Sequence, residues 1–283
     1  MQTDIELKEM VRQKYSEIAL QDKATNQSSC CGAGGCSTEV YNIMSEDYSE
    51  LEGYNADADL GLGCGLPTEF AKIKPGDTVI DLGSGAGNDC FVARRATGEK
   101  GKVIGIDFTP AMIEKARMNA EKLSFQNVEF RQGDIEQLPV SANVADVVVS
   151  NCVLNLVPNK AAVIQEIYRV LKPGGHFSIS DVVLEGALPE KWKSVAELYA
   201  GCVSGAIQKQ EYLDLIAAAG FKNLLLQNDK PIVIPDDILI NHLSKEEIMD
   251  YKNGHTAISS VTVYAEKLIA EQQKACTPGG GCC

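Results

Sequence analysis

The sequence predicts an α/β chain built on a mostly parallel sheet with helices on both faces, and three observations carry that prediction. From Thr78 onward, short β-branched runs alternate with longer stretches of helical periodicity, and strand, helix, strand in that rhythm gives a parallel sheet covered on both sides. One of the strands runs directly into a glycine loop, Asp81-Leu82-Gly83-Ser84-Gly85-Ala86-Gly87, which opens a helix. With 283 residues and 45% hydrophobic content, the chain is long enough to bury a full core.

Taken in order, an amphipathic helix opens the chain from Asp4 to Ala19, where Ile5, Leu7, Met10, Val11, Tyr15, Ile18 and Ala19 recur at helical spacing. Residues Gln21 to Ser37 are polar and glycine-rich, contain Cys30, Cys31 and Cys36, and predict a loop. Strands are expected at Thr78–Leu82, Val103–Ile106, Val128–Gln132, Ala145–Ser150 and His176–Val183, with helices between them at Asn88–Ala96, Pro110–Leu123 and Lys160–Leu171. Lys172-Pro173-Gly174-Gly175 should stop the last of these helices, because proline and glycine both oppose its continuation. Beyond Val183 the rhythm changes to helices at Pro189–Gly201 and Lys209–Ala219, then strands near Leu224–Ile234 and Ser259–Ala265, with a glycine-rich tail from Ala275 to Cys283.

A formal charge of −13 excludes a polyanionic partner, since nucleic-acid binding needs basic groups to displace condensed counterions. No apolar run approaches the roughly 20 residues of a membrane span, and Met1-Gln2-Thr3-Asp4-Ile5-Glu6 lacks the basic start of a signal peptide. A cytoplasmic protein is expected. Ten cysteines in a chain of this size, without secretory context, read as reduced thiols used for binding or redox chemistry rather than as a disulfide framework.

Glycines in the loop after the first strand let backbone approach a ligand closely, and the following helix offers unpaired N–H groups. A plain structural turn would use the same residues. Two further positions favour a ligand: Asp107 ends the second strand, 24 positions after Gly83, and Gly133-Asp134-Ile135 closes the third on the same rim. Ligands of open α/β sheets bind there, outside the carboxyl ends of the strands. The spacing Gly-x-Gly-x-Gly differs from the dinucleotide fingerprint of dehydrogenases, the rival for such a loop.

From roughly Lys74 to Val183 the pattern resembles the class I S-adenosylmethionine-dependent methyltransferases, whose Asp-Leu-Gly-x-Gly-x-Gly matches Asp81 to Gly87. The resemblance implies a Rossmann-like sheet, with Asp81, Gly83, Gly85 and Gly87 at the methionine moiety. Asp107, with Phe108 beside it, would take the ribose; Asp134 and Ile135 the adenine; Asn151 the sulfonium end. Tyr54, in Gly53-Tyr54-Asn55, resembles the aromatic that covers this cofactor.

Three cysteines sit where such a fold could bring them together: Cys64 upstream of the first strand, Cys152 after the fourth, and Cys202 after the Pro189–Gly201 helix. A buried cysteine is ordinarily a small hydrophobe, and Cys90, just inside the helix after the glycine loop, reads that way. Converging thiolates suit a soft, thiophilic acceptor. Of the three histidines, His176, His242 and His255, none lies at the strand end that would carry a base, and no Cys-x-x-Cys pair exists to nucleate a zinc site.

Ser150-Asn151-Cys152-Val153-Leu154-Asn155-Leu156, Gly63-Cys64-Gly65 and Tyr199-Ala200-Gly201-Cys202-Val203-Ser204-Gly205-Ala206 together resemble the arsenite methyltransferases, extending the match over about Cys30 to Ala206. That resemblance implies arsenic(III), as arsenite or its thiol conjugates, held by Cys152 and Cys202, with Cys64 a third thiol that pairs with an N-terminal cysteine during the cycle. It also implies S-adenosylmethionine as donor and thioredoxin or glutathione as reductant. The expected division is an N-terminal helix and cysteine loop (1–45), a methyltransferase domain (46–185), a smaller α+β substrate-side region (186–274) and a cysteine tail (275–283). The loop and tail cysteines Cys30, Cys31, Cys36, Cys276, Cys282 and Cys283 read either as metalloid capture or as plain exposed thiols. Two rivals remain: a quinone- or sterol-type C-methyltransferase, and a thiol metalloid-binding protein without turnover.

Overall fold

The structure, a computed structural model, describes residues 4–21, 47–187, 205–232, 240, 243–253 and 257–269. Within them the β-branched runs become strands β1 (Thr78–Leu82), β2 (Lys102–Asp107), β3 (Val128–Gln132), β4 (Ala145–Asn151) and β5 (Leu171–Glu185), all paired in parallel. Two later strands, β6 (Lys222–Pro231) and β7 (Ala257–Glu266), join the same sheet, with β7 antiparallel to both β5 and β6. The seven-stranded order is β3-β2-β1-β4-β5-β7-β6.

Side-chain alternation along the strands divides the core between the two faces. Val79, Val103, Val147 and Val149 point to one side, where Phe91, Met112 and Phe130 cover them. Ile80, Ile104 and Val148 point to the other, against Ile164, Ile167 and Phe177. Each such side chain, fully buried, contributes roughly 1.5–3 kcal/mol. The covering helices are α1 (Asp4–Ala19), α2 (Pro67–Phe70), α3 (Asn88–Thr97), α4 (Pro110–Lys122), α5 (Lys160–Val170), α6 (Lys209–Ala218) and α7 (Lys245–Asn253). Local chemistry sets their ends: Pro110 pre-sets the first turn of α4, and the Asn159 side chain accepts the Ala162 N–H to cap α5. The Lys115 ammonium donates to the carbonyls of Ala19 and Gln21, tying the end of α1 to α4.

Two local features differ from the sequence expectation. Lys172-Pro173-Gly174-Gly175 does end the helix, at Val170, but β5 already begins at Leu171. The four residues are accommodated as an irregularity, since Leu171 pairs with Ala145 while His176 pairs with Val147. Helix α7 was not expected; its signal is the capping box Ser244-Lys245-Glu246-Glu247, in which Ser244 Oγ accepts the Glu247 N–H and Glu247 accepts the Ser244 N–H. The expected loop from residue 22, the Pro189–Gly201 helix and the tail lie outside the described residues.

Candidate functional site

The strand order reverses between β1 and β4, where β1 leads outward through β2 to β3 and β4 leads the other way to β5. The carboxyl ends of β1 and β4 therefore flank a crevice. Gly83, directly after β1, has φ +67, and a Cβ there would overlap the Val153 side chain, so only glycine lets the two loops pack together. Gly85 has φ +51 and its Cβ position meets nothing within 4 Å, leaving bare backbone toward open space.

That space is a cleft of about 1050 Å³, open mouth included, lined among others by Asp81, Gly83, Gly85, Asp107, Phe108, Asp134, Ile135, Asn151 and Cys152. Gly87 and Tyr54, both expected at the cofactor, are not among the lining residues. Gly87 instead packs beside Phe91 and Phe130, where a Cβ would come within 2.9 Å of both rings. Tyr48 and Tyr15 are aromatic residues that do face the cleft. The buried Ser84 Oγ and Asn88 Oδ1 have no hydrogen-bond partner, and both residues line the cleft. Buried polar atoms are costly unless paired, so these fit a polar ligand that would complete them.

The lining is strongly acidic. Asp107 accepts the Gly85 N–H at 3.0 Å and the Thr109 N–H at 2.8 Å; burial raises its pKa and these N–H groups hold it back. Burial, then the charge of Asp89, pushes Asp81 well above the usual carboxylate range. Asp89 is pushed up to about 6 by burial, against hydrogen bonds from Tyr48, Asn151 and Thr68. Crowded carboxylates of this kind favour a cationic ligand. At the far end Lys8, from α1, bonds Asp134 at 2.7 Å and also reaches Glu136. Tyr48, Asp89 and Lys8 escaped the sequence reading: Tyr48 lies in a segment without periodicity, and nothing in the spacing places α1 over the cleft.

At the opposite end lie the thiols. Cys152 immediately follows β4 with φ +59, a left-handed conformation uncommon outside glycine, and its N–H donates to the Ser180 carbonyl at 2.8 Å. The Cys64 loop is held against it by Asn151, whose Oδ1 accepts the Cys64 N–H at 3.0 Å and whose Nδ2 donates to the Gly65 carbonyl at 2.8 Å. Asn151 Nδ2 also bonds the Tyr48 hydroxyl, which in turn donates to Asp89 at 2.9 Å. From β7, the Ser260 hydroxyl donates to the Cys64 carbonyl. A Cβ on Gly63 would come within 2.6 Å of Asn151, and one on Gly65 would overlap Ser180, so the glycines flanking Cys64 are what allow this close approach.

As a result the sulfurs of Cys64 and Cys152 and a carboxylate oxygen of Asp181 lie within 4.8 Å of one another, all buried. Asp181 was not anticipated, because it sits within the apolar run of β5. Cys202 lies outside the described residues. Cys90 is fully buried with its thiol toward Asp81 at 3.2 Å, as a core residue would be. His176 bonds the Ala71 carbonyl at 2.6 Å from its position opposite Val147, early in the β4–β5 ladder, while His242 and His255 lie outside the described residues.

Residues 73–220 match the family model described as "Methyltransferase domain". The arsenite methyltransferase of Halobacterium salinarum is 45% identical over 77% of this chain and 58% of its own length. That of Aquipseudomonas alcaligenes is 34% identical over 83% of the chain and 68% of its own length. The chain thus spans under two thirds of the first relative and just over two thirds of the second. Among solved structures, an arsenic(III) S-adenosylmethionine methyltransferase from Chlamydomonas reinhardtii superposes with a TM-score of 0.63, at 32% identity over 84% of this chain and 76% of the other. Demethylmenaquinone methyltransferases also match, that of Lactobacillus johnsonii at 31% identity over 67% of this chain and 84% of its own length.

Proposed function

Because the chain belongs to the arsenite methyltransferase family, we propose that it transfers methyl groups from S-adenosylmethionine to trivalent arsenic held by Cys64, Cys152 and Cys202. The observation that carries this reading is the meeting of two buried thiols at the carboxyl end of β4, on the edge of an acidic cleft with two unpartnered polar groups. A quinone-type C-methyltransferase has no use for that pair. A binder without turnover has no use for the cleft.

When bound, S-adenosylmethionine supplies an electrophilic methyl on a cationic sulfur. Gly83 and Gly85 let backbone line its pocket, Asp107 offers carboxylate oxygens to ribose hydroxyls, and Asp134 with Ile135 borders the adenine. Tyr48, Asn151 and Asp89 form a polar wall of the cleft beside the thiols, and the acidic lining favours the donor's positive charge. Cys64 and Cys152 lose their protons on binding arsenic, whose remaining lone pair is the nucleophile. No general base is needed for that transfer, so holding the two reactants in line is the chain's main contribution.

In this reading residues 46–185 carry the donor site and 186–274 the substrate side, with Cys202 closing the arsenic site. A reductant such as thioredoxin or glutathione keeps the thiols competent. Incubating the reduced protein with arsenite and S-adenosylmethionine should yield methylated arsenic species by chromatography and mass spectrometry. Unmodified arsenic bound stoichiometrically would favour the binder, and neither outcome would point to an organic substrate.

The acidic wall makes donor affinity depend on pH. Burial pushes Asp89 up to about 6, above its ordinary value, so the folded chain holds that proton more tightly than the unfolded chain does. Apo stability therefore falls as pH rises from about 4 to 6, while the growing negative charge strengthens binding of a cation. S-adenosylmethionine should bind about tenfold tighter at pH 7.5 than at pH 5, measured by calorimetry; equal affinity at both would remove Asp89 from the donor site.

A further inference from the structure

We propose that Cys64, Cys152 and Asp181 also form a binding site for a divalent, borderline-soft cation of the Zn²⁺ type, which competes with arsenite for the two thiols. The competition rests on the reading that these thiols hold arsenic; the cation site itself rests on geometry. Two sulfurs and one carboxylate oxygen lie within 4.8 Å of one another. Tetrahedral Zn²⁺, with Zn–S near 2.3 Å, needs sulfurs about 3.8 Å apart, so closure asks for a contraction of about 1 Å at most.

The carboxylate supplies the second observation. Asp181 is 0% exposed; its Oδ1 accepts the adjacent Val182 N–H at 3.0 Å, and its Oδ2 has no hydrogen-bond partner. Burial pushes it up to about 7, with the Lys160 charge and hydrogen bonds from the Val182 and Leu154 backbone N–H groups opposing. The Tyr212 hydroxyl, also buried and without a hydrogen-bond partner, lies close enough for Asp181, Cys64 and Cys152 to disfavour its ionisation. A thiophilic metalloid bound only through thiolates leaves the Asp181 carboxylate outside its ligand set. A divalent cation takes it in: M²⁺ displaces to solvent one proton from each thiol, and the proton of Asp181 where it is protonated, and gains two thiolates and a carboxylate as donors. Sulfur with oxygen is also a donor set that zinc takes readily, and a fourth position stays open for water or an external thiol.

Co²⁺ is the optical probe, because thiolate coordination gives it near-ultraviolet charge-transfer bands and tetrahedral geometry intensifies its visible bands. Anaerobic titration of the reduced full-length chain, repeated with Cys30, Cys31, Cys36, Cys276, Cys282 and Cys283 all changed to serine, should show one Co²⁺ per chain that Zn²⁺ displaces. Cys152→Ser should abolish the charge-transfer band. Asp181→Ala, and the closer-sized Asp181→Asn should the first fail to fold, should weaken Co²⁺ about tenfold or more while arsenite affinity changes less than about threefold. Absence of the band, or Co²⁺ affinity unchanged in folded Asp181 variants, overturns the site. Failure of the arsenic reading looks different: Co²⁺ binds as expected, but arsenite neither displaces it nor becomes methylated.

Discussion

Cys152→Ser is expected to lower arsenite methylation at least about a hundredfold while leaving S-adenosylmethionine affinity within about threefold. The substitution exchanges a soft thiolate for a hard hydroxyl that stays protonated at neutral pH, and trivalent arsenic then loses a strong bond at the position nearest the cleft. Packing is barely disturbed, since serine is close in size and the Ser180 contact uses the backbone N–H. Arsenic speciation measures the first effect and calorimetry with the donor the second. Normal methylation by the variant would rule out Cys152 as an arsenic ligand, and parallel loss of donor binding would mean that it acts through the fold.

Asn151→Ala should weaken both half-sites together, reducing donor and arsenite affinity each by at least about tenfold. Its side chain joins the Cys64 N–H, the Gly65 carbonyl, the Tyr48 hydroxyl and Asp89. Removing it strands buried polar groups on both sides of the wall, at a stability cost of about 2–4 kcal/mol. Asn151→Asp keeps an oxygen facing the Cys64 N–H but adds a further carboxylate beside Asp89, so it should retain more arsenite affinity than alanine and raise the Asp89 pKa further. Donor and arsenite titrations of both variants check this; intact binding of either ligand by the alanine variant would show that the two half-sites are built independently.

Local pattern sufficed for β1, a short β-branched run between glycines whose residues face two covered sides. β3 also falls on the residues expected, as an edge strand closed by Gly133 with Phe130 buried. The glycine loop was legible for the same reason, and it placed Asp81, Asp107, Asp134 and Asn151 on one rim. Contacts that close at long range were not legible. The bond from Asn151 to the Cys64 backbone joins residues 87 positions apart, and no spacing rule chooses Tyr48 over Tyr54 for the cleft. Asp181 escaped because its neighbours Val182 and Val183 read as strand interior, where a carboxylate is unexpected; β5 buries it there beside the sulfurs.

The Cys64 loop is pinned by β4 through Asn151 and by β7 through Ser260, so the two sulfurs face each other only once those strands have docked. Anything that chelates this pair recognises the native chain and ignores the unfolded one at that geometry. Its binding energy is then added to the folding equilibrium, roughly 1.4 kcal/mol for each tenfold excess of ligand over its dissociation constant. On the proposed reading, an arsenical that chelates the pair would protect the chain against unfolding and against the proteases that cut what unfolds, by an increment that grows with the logarithm of its concentration.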